Sequence, residues 1–402
     1  MRSFLLRLSP LLLILTLAPA QQQLSDAHRK AKAQKLAHQF ILADGHVDIP
    51  YRLRHKWEDI SKRTETGDFD YVRAKAGGID APFMSIYTPS EYEQKGGAKA
   101  LADTLIDMVY DLAKSHPSKF AVAKSVADVR AQFRRGLISL PMGMENGSPI
   151  EKNLANVEYF ADRGIRYITL THGKDNHISD SSYDTTHTWK GLSPFGRKVV
   201  KEMNRTGIIV DISHVSDDAF WEVMNVTAAP AIASHSSCRY FTPGWERNMS
   251  DDMIKALAKN GGVIMINFGS SFVTEEFRQA EPKMWASLGA KGITWNSPNA
   301  AEEARAYTKN NPLPFPNVSD VVNHIDHVVK LVGVNHVGFG SDFDGVGDTL
   351  PIGLKDVSHY PNVIEELLKR GYSDRDIEKI CSGNLLRVWS EVEHTARRVQ
   401  QP

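Results

Sequence analysis

The chain is 402 residues long, 42% hydrophobic and 24% charged, with 48 basic residues against 48 acidic ones. Zero formal net charge at pH 7 leaves no basic footprint for nucleic acid and no polybasic membrane patch. Two cysteines, Cys238 and Cys381, exclude a disulfide scaffold, and their spacing does not say whether they pair.

The N-terminus carries Arg2 and Arg7, an apolar run from Leu11 to Leu17, and the small-residue pattern Ala18-Pro19-Ala20. This is the layout of a secretory signal peptide cleaved after Ala20, with an apolar core too short to cross a bilayer. No apolar tail follows Arg397, which argues against a lipid anchor replacing such a tail. The mature protein is therefore expected outside the cytoplasm, periplasmic or secreted, without a transmembrane segment. Asn-X-Ser/Thr sequons begin at Asn146, Asn204, Asn225, Asn248 and Asn317. Those at Asn146 and Asn248 adjoin candidate site residues, where a glycan would block access, so a host that does not glycosylate is favoured.

No Pro/Gly/Ser linker interrupts residues 21–402, and one large domain is expected. Short β-rich runs alternate with helical patterns: Ile41 to Ile49, Ala81 to Tyr87, Leu137 to Met144, Tyr167 to Thr171, Ile208 to Ser213, Ala229 to Ser234, Gly262 to Phe268, and His336 to Gly340. Between them lie amphipathic stretches such as Leu154 to Ala161 and Val321 to Val332. His324 and His327 fall on the latter and are read as solvated. Ser373 with Asp376 predicts an N-cap opening the helix of Ile377 and Ile380. Eight strands alternating with helices predict an α/β fold, the (β/α)₈ barrel. The stretch Ser270 to Pro316 is long and charged and holds Trp285 and Trp295. It predicts an elaborated loop after the seventh strand with some helix of its own, either walling the barrel mouth or forming a peripheral or subunit contact.

Titratable residues close these strands. The first ends in His46-Val47-Asp48, where alternation points His46 and Asp48 the same way. The third ends at Glu145, the fourth at His172, the fifth at His214, the sixth at His235, and the eighth runs into Asp342 and Asp344. Ionisable groups at one edge of so many buried strands point to chemistry at the C-terminal face of the barrel. Asp211 is expected to point away from His214 and receives no role.

These residues resemble the membrane dipeptidase (renal dipeptidase) family of zinc metallopeptidases, within the amidohydrolase-like barrels. The resemblance runs from Asp44 to about Trp389. It rests on Gly45-His46-Val47-Asp48, Gly191-Leu192-Ser193-Pro194-Phe195-Gly196, Asp211-Ile212-Ser213-His214-Val215-Ser216, Ser234-His235-Ser236-Ser237, Arg247-Asn248, Gly338-Phe339-Gly340-Ser341-Asp342-Phe343-Asp344-Gly345 and Gly383-Asn384-Leu385-Leu386-Arg387-Val388.

The resemblance implies two Zn²⁺ per chain, one on His46 and Asp48, the second on His214 and His235, bridged by Glu145. It further implies His172 as oxyanion stabiliser, Asp342 as proton shuttle, and Arg247 as anchor for the substrate's terminal carboxylate. His172 as a mere support, Arg247 as a surface ion pair, and Asp344 in place of Asp342 are the alternatives. The implied reaction is hydrolysis of dipeptides, including D- or dehydro residues at the second position, by a metal-bridging hydroxide. A homodimer is compatible with the sequence, which does not fix the oligomeric state. Many relatives carry an aromatic residue after the seventh strand's Asn-Phe; here Gly269 follows Asn267-Phe268, which changes the pocket wall. The competing readings are a barrel amidohydrolase for cyclic amides or N-acyl amino acids, and a metal-free binding protein.

Overall fold

The computed structural model of the chain describes residues 25–294, 297 and 300–401. The leader and Trp295 lie outside the described residues. Eight parallel strands close into one barrel: β1 Ala43–Val47, β2 Ala81–Tyr87, β3 Met142–Glu145, β4 Ile165–Thr169, β5 Ile209–Asp211, β6 Ile232–Ala233, β7 Val263–Ile266 and β8 Val337–Phe339. Each pairs with its neighbours in sequence, and β1 returns to β8 through Asp44 and Phe339. This is the (β/α)₈ barrel.

Alternation along each strand sorts side chains between the lumen and the surrounding helices. On β2, Met84 and Ile86 join the outer core, while Phe83 joins the lumen cluster and Ser85 reaches Glu145. The C-terminal helix Asn384–Gln400 covers the barrel floor with Leu385, Trp389 and Val392. A column of rings rises from it: Trp389 on Phe83 at 5.3 Å, Phe83 on Tyr167 at 5.4 Å, and the Tyr167 hydroxyl 2.7 Å from His46 Nδ1. Serines start the helices after β4, β5 and β6, because Ser193, Ser216 and Ser250 each accept a backbone N–H three residues on. Ser373 caps its helix as expected, and Asp376 completes the capping box.

The sequence reading needs three corrections. Leu137 to Met144 is not one strand: Pro141 divides it into Ile138–Leu140, paired with Phe120–Val122 in a separate two-stranded sheet, and β3. The insertion after β7 is mostly helix, with Ser270–Val273, Glu275–Gly289 and Ala300–Asn310, and Met284, Leu288 and Ala304 pack into a small core of their own. His324 and His327 are not solvated. His324 is fully buried between the Cys238 N–H and the Val273 carbonyl, and His327 pairs with Asp251 at 2.7 Å. Cys238 and Cys381 are both buried and unpaired.

Candidate metal centre

At the C-terminal rim the strands stop and the chain turns sharply. Asn146, His214, Asp342 and Asp344 all take positive φ, between 64° and 78°, a conformation that costs non-glycine residues energy and clusters at functional sites. At His214 and Asp342 these turns aim the side chain back over the lumen.

Glu145 stands at the centre and is 4% exposed. Its Oε2 lies 3.4 Å from His46 Nε2, which in turn lies 3.3 Å from Asp48 Oδ2. Its Oε1 faces the other way, 3.1 Å from His214 Nε2 and 3.4 Å from His235 Nε2. Donor atoms about 2.0 to 2.1 Å from a tetrahedral zinc lie about 3.3 Å from one another, so these separations suit the ion. Two further observations fit a cation. The Nε2 atoms of His214 and His235 face each other at 2.8 Å, and buried His46 Nε2 has no hydrogen-bond partner. The donors lie close enough that His46, Glu145 and His235 also form one candidate group, Glu145, His172 and His214 another, and His46, Asp48 and Asp342 a third.

Electrostatics favour the ligating forms of Glu145, His214 and His235. At His46, by contrast, burial opposes a proton, but Tyr167 and the Glu145 and Asp48 carboxylates outweigh it and raise the ring well above the ordinary imidazole range. Burial opposes ionisation of Glu145, yet the imidazoles around it, His46 and His172 foremost, hold its carboxyl well below the ordinary range. Burial and then the Arg247 charge push His214 well down, and burial followed by His46 does the same for His235, so both rings stay neutral. The tautomer of His235 follows from its support: Ser234 Oγ donates to Asp211 at 2.6 Å and so accepts from His235 Nδ1 at 2.7 Å, leaving Nε2 a lone pair for the centre. Asp211 is thus fully buried and anchors Ser234, accepting also from the Ser213 and Ser234 N–H groups.

His172 extends its Nε2 to 3.5 Å from Glu145 Oε1 and has a buried, unpartnered Nδ1, with burial lowering its pKa. Asp342 joins His46 and Asp48 and accepts from Asn267 Nδ2 at 2.8 Å. Burial and then the Asp48 charge push its carboxyl up to about 7. Gly345 is what lets Asp342 and Asp48 meet, since a Cβ there would fall 2.3 Å from an oxygen of each. Asp344 points elsewhere, to Arg52 Nε at 3.0 Å and the Asp68 N–H at 2.6 Å. Arg247 is 2% exposed, so it is not a surface ion pair. It donates to Ser236 Oγ at 2.7 Å and the His235 carbonyl at 2.9 Å, stacks over Phe272 at 5.0 Å, and keeps a buried Nε without a partner.

Asn267, Tyr167, Asp211 and Ser234 are the supports that sequence reasoning missed. Tyr167 opens a run already read as a strand, and Asp44 shares the alternating face of His46 and Asp48. Asp44 accepts from the His46 and Ser341 N–H groups and so ties β1 to the β8 turn.

A family model described as membrane dipeptidase (peptidase family M19) matches residues 30–402. An uncharacterized dipeptidase of Schizosaccharomyces pombe is 32% identical over 389 residues, covering 92% of this chain and 85% of that protein. Among solved structures, the probable dipeptidase PvdM of Pseudomonas aeruginosa is 26% identical with a TM-score of 0.78, covering 92% of this chain and 99% of the other. A metallopeptidase of Rhodobacter sphaeroides, solved with a phosphinate mimic of L-Ala-D-Ala, shares the fold at 24% identity and a TM-score of 0.73, covering 88% and 99%. The chain belongs to the membrane dipeptidase family, peptidase family M19.

Proposed function

We propose that the chain is an exported, dinuclear zinc dipeptidase. The observation that carries this reading is Glu145, whose two oxygens face opposite donor sets, His46 with Asp48 and His214 with His235. Imidazole and carboxylate suit Zn²⁺, and a shared carboxylate offsets the repulsion of two cations held close together. Zinc bound there polarises a carbonyl and lowers the pKa of a water from about 16 to about 7.

The remaining work falls to side chains. Arg247 has five N–H donors, of which two are taken by Ser236 and His235. Those left can hold the terminal carboxylate of a substrate that ends one residue beyond the scissile bond. His172, neutral and beside Glu145, donates to the carbonyl oxygen as negative charge develops on it. Asp342, steadied by Asn267, takes the proton of the attacking water and returns it to the leaving amine. Nothing in this assignment requires an L residue at the second position, and D- or dehydro residues belong to the proposed substrate range. The Met1 to Ala20 leader is proposed to direct export.

Metal analysis and turnover on one preparation test the reading. Close to two zinc per chain, dipeptide hydrolysis abolished by chelation and restored by zinc, and loss of turnover in His214→Ala and His235→Ala are expected. Full activity in a metal-free preparation overturns it.

A further inference from the structure

Where Gly269 leaves the wall after β7 without a side chain, other aromatics stand at the same side of the centre. The Tyr183 ring lies 5.8 Å from that of His214 and edge-on to Trp245 at 6.3 Å, and Trp245 meets Phe272 at 5.0 Å. Phe272 in turn covers the face of Arg247, and Arg247 lies against Tyr183. Tyr183 therefore spans the interval between a donor of the centre and the proposed carboxylate anchor. That interval is where the C-terminal residue of a dipeptide must lie if its carbonyl is at Glu145 and its carboxylate at Arg247.

Tyr183 is 42% exposed, unusual for a ring so near a buried centre, and yet its backbone is fixed. The Ser182 N–H donates to the His214 carbonyl at 2.8 Å, Ser181 pairs with Val215, and Ser181 Oγ donates to the His172 carbonyl and accepts from the Tyr183 N–H. The loop that presents this ring is stapled to the two histidines that flank the reaction. A side chain held by that much local hydrogen bonding and still open to solvent on one face is placed to meet a ligand.

We infer that Tyr183 and Trp245 form the subsite for the side chain of the dipeptide's C-terminal residue and select apolar and aromatic side chains there. The inference rests on the dipeptidase reading and on Arg247 as its anchor. Burying an apolar side chain against two rings favours it over glycine by the ten- to about two-hundredfold typical of hydrophobic pockets. A glycine-ended dipeptide has no side chain to bury there, so the rings act on the ratio between substrates.

The test compares kcat/KM for L-Ala-L-Phe and L-Ala-Gly in the zinc-loaded wild type and in Tyr183→Ala, Trp245→Ala and Tyr183→Phe. The wild type is expected to favour L-Ala-L-Phe by about tenfold or more. Tyr183→Ala and Trp245→Ala should each remove most of that preference, read as the ratio of the two kcat/KM values whatever happens to the absolute rates, and Tyr183→Phe, which keeps the ring, should retain it. A wild type that cleaves both dipeptides equally, or a preference unmoved by Tyr183→Ala, overturns the subsite. Failure to cleave either dipeptide overturns the dipeptidase reading instead.

Discussion

Acidification should loosen the rim through His324, a residue remote from the chemistry. Its ring is fully buried, takes the Cys238 N–H on Nδ1 at 3.0 Å, donates from Nε2 to the Val273 carbonyl at 2.9 Å, and packs 4.4 Å from Phe241. Burial lowers its pKa from 6.5 to about 4, so the folded state resists a proton that the unfolded chain accepts. Stability from this group is complete above pH 6.5 and is lost as pH falls from 6.5 toward about 4. At about 1.4 kcal/mol per pKa unit, the loss is about 1.4 kcal/mol at pH 5.5 and about 2.5 kcal/mol at pH 4.5. His324→Asn keeps an acceptor for the Cys238 N–H but does not titrate. It should be less stable than wild type at pH 7.5 by about 2 kcal/mol, for the Val273 hydrogen bond and the lost ring packing. Urea melts of both proteins across pH 7.5 to 4.5 read the difference, which cancels every other titrating group. The gap should shrink by about 2 kcal/mol or more over that range. A gap constant to within about 0.5 kcal/mol would refute the account of a neutral, strut-like imidazole.

Asp342→Asn should keep both zinc ions and near-normal affinity for a substrate analogue, with kcat down about 10² to 10⁴-fold; a lost zinc, read by metal analysis, would make Asp342 a ligand. Arg247→Ala should lower kcat/KM for dipeptides by about ten- to a hundredfold, and dipeptide amides should be poor substrates of the wild type. Equal rates on acids and amides contradict the anchor. Tyr167→Phe removes the hydroxyl at His46 Nδ1 and should weaken zinc affinity by about ten- to a hundredfold in a competitive chelator titration, whereas unchanged affinity would leave Tyr167 a packing residue only.

Much of the barrel was legible because its strands are short apolar runs punctuated by titratable residues at one end, and the structure brings His46, Glu145, His172, His214, His235 and Asp342 together there. What escaped the sequence was mostly a matter of third dimensions. Asp211 lies three residues before His214, and period-2 reasoning turned it away, but the strand ends at Asp211 and the chain then curls so that its carboxylate meets Ser234 on the next strand. His324 was misread although Val321, Ile325 and Val328 share its buried helix face; its polarity outweighed the helical spacing that placed it inside. Pro141, which no central strand tolerates at a ladder position, was the overlooked sign that Leu137 to Met144 divides. Asn267 as a partner of Asp342 had no sequence signal, since the two lie 75 residues apart.

The pairing of β1 with β8 bears on how the molecule is made. Synthesis runs from the N-terminus, so the edge of β1 that accepts β8 waits until Phe339 has emerged, and the lumen stays without its floor until Trp389 follows. A partial chain that paired its strands in order would keep an unpaired border and an uncovered apolar base, the kind of edge that recruits other chains. Ring closure therefore comes late in synthesis and joins residues almost three hundred apart, a parallel pairing that is intrinsically slow. A polypeptide of this design benefits from being held extended until it is complete, and threading through an export channel would impose that delay.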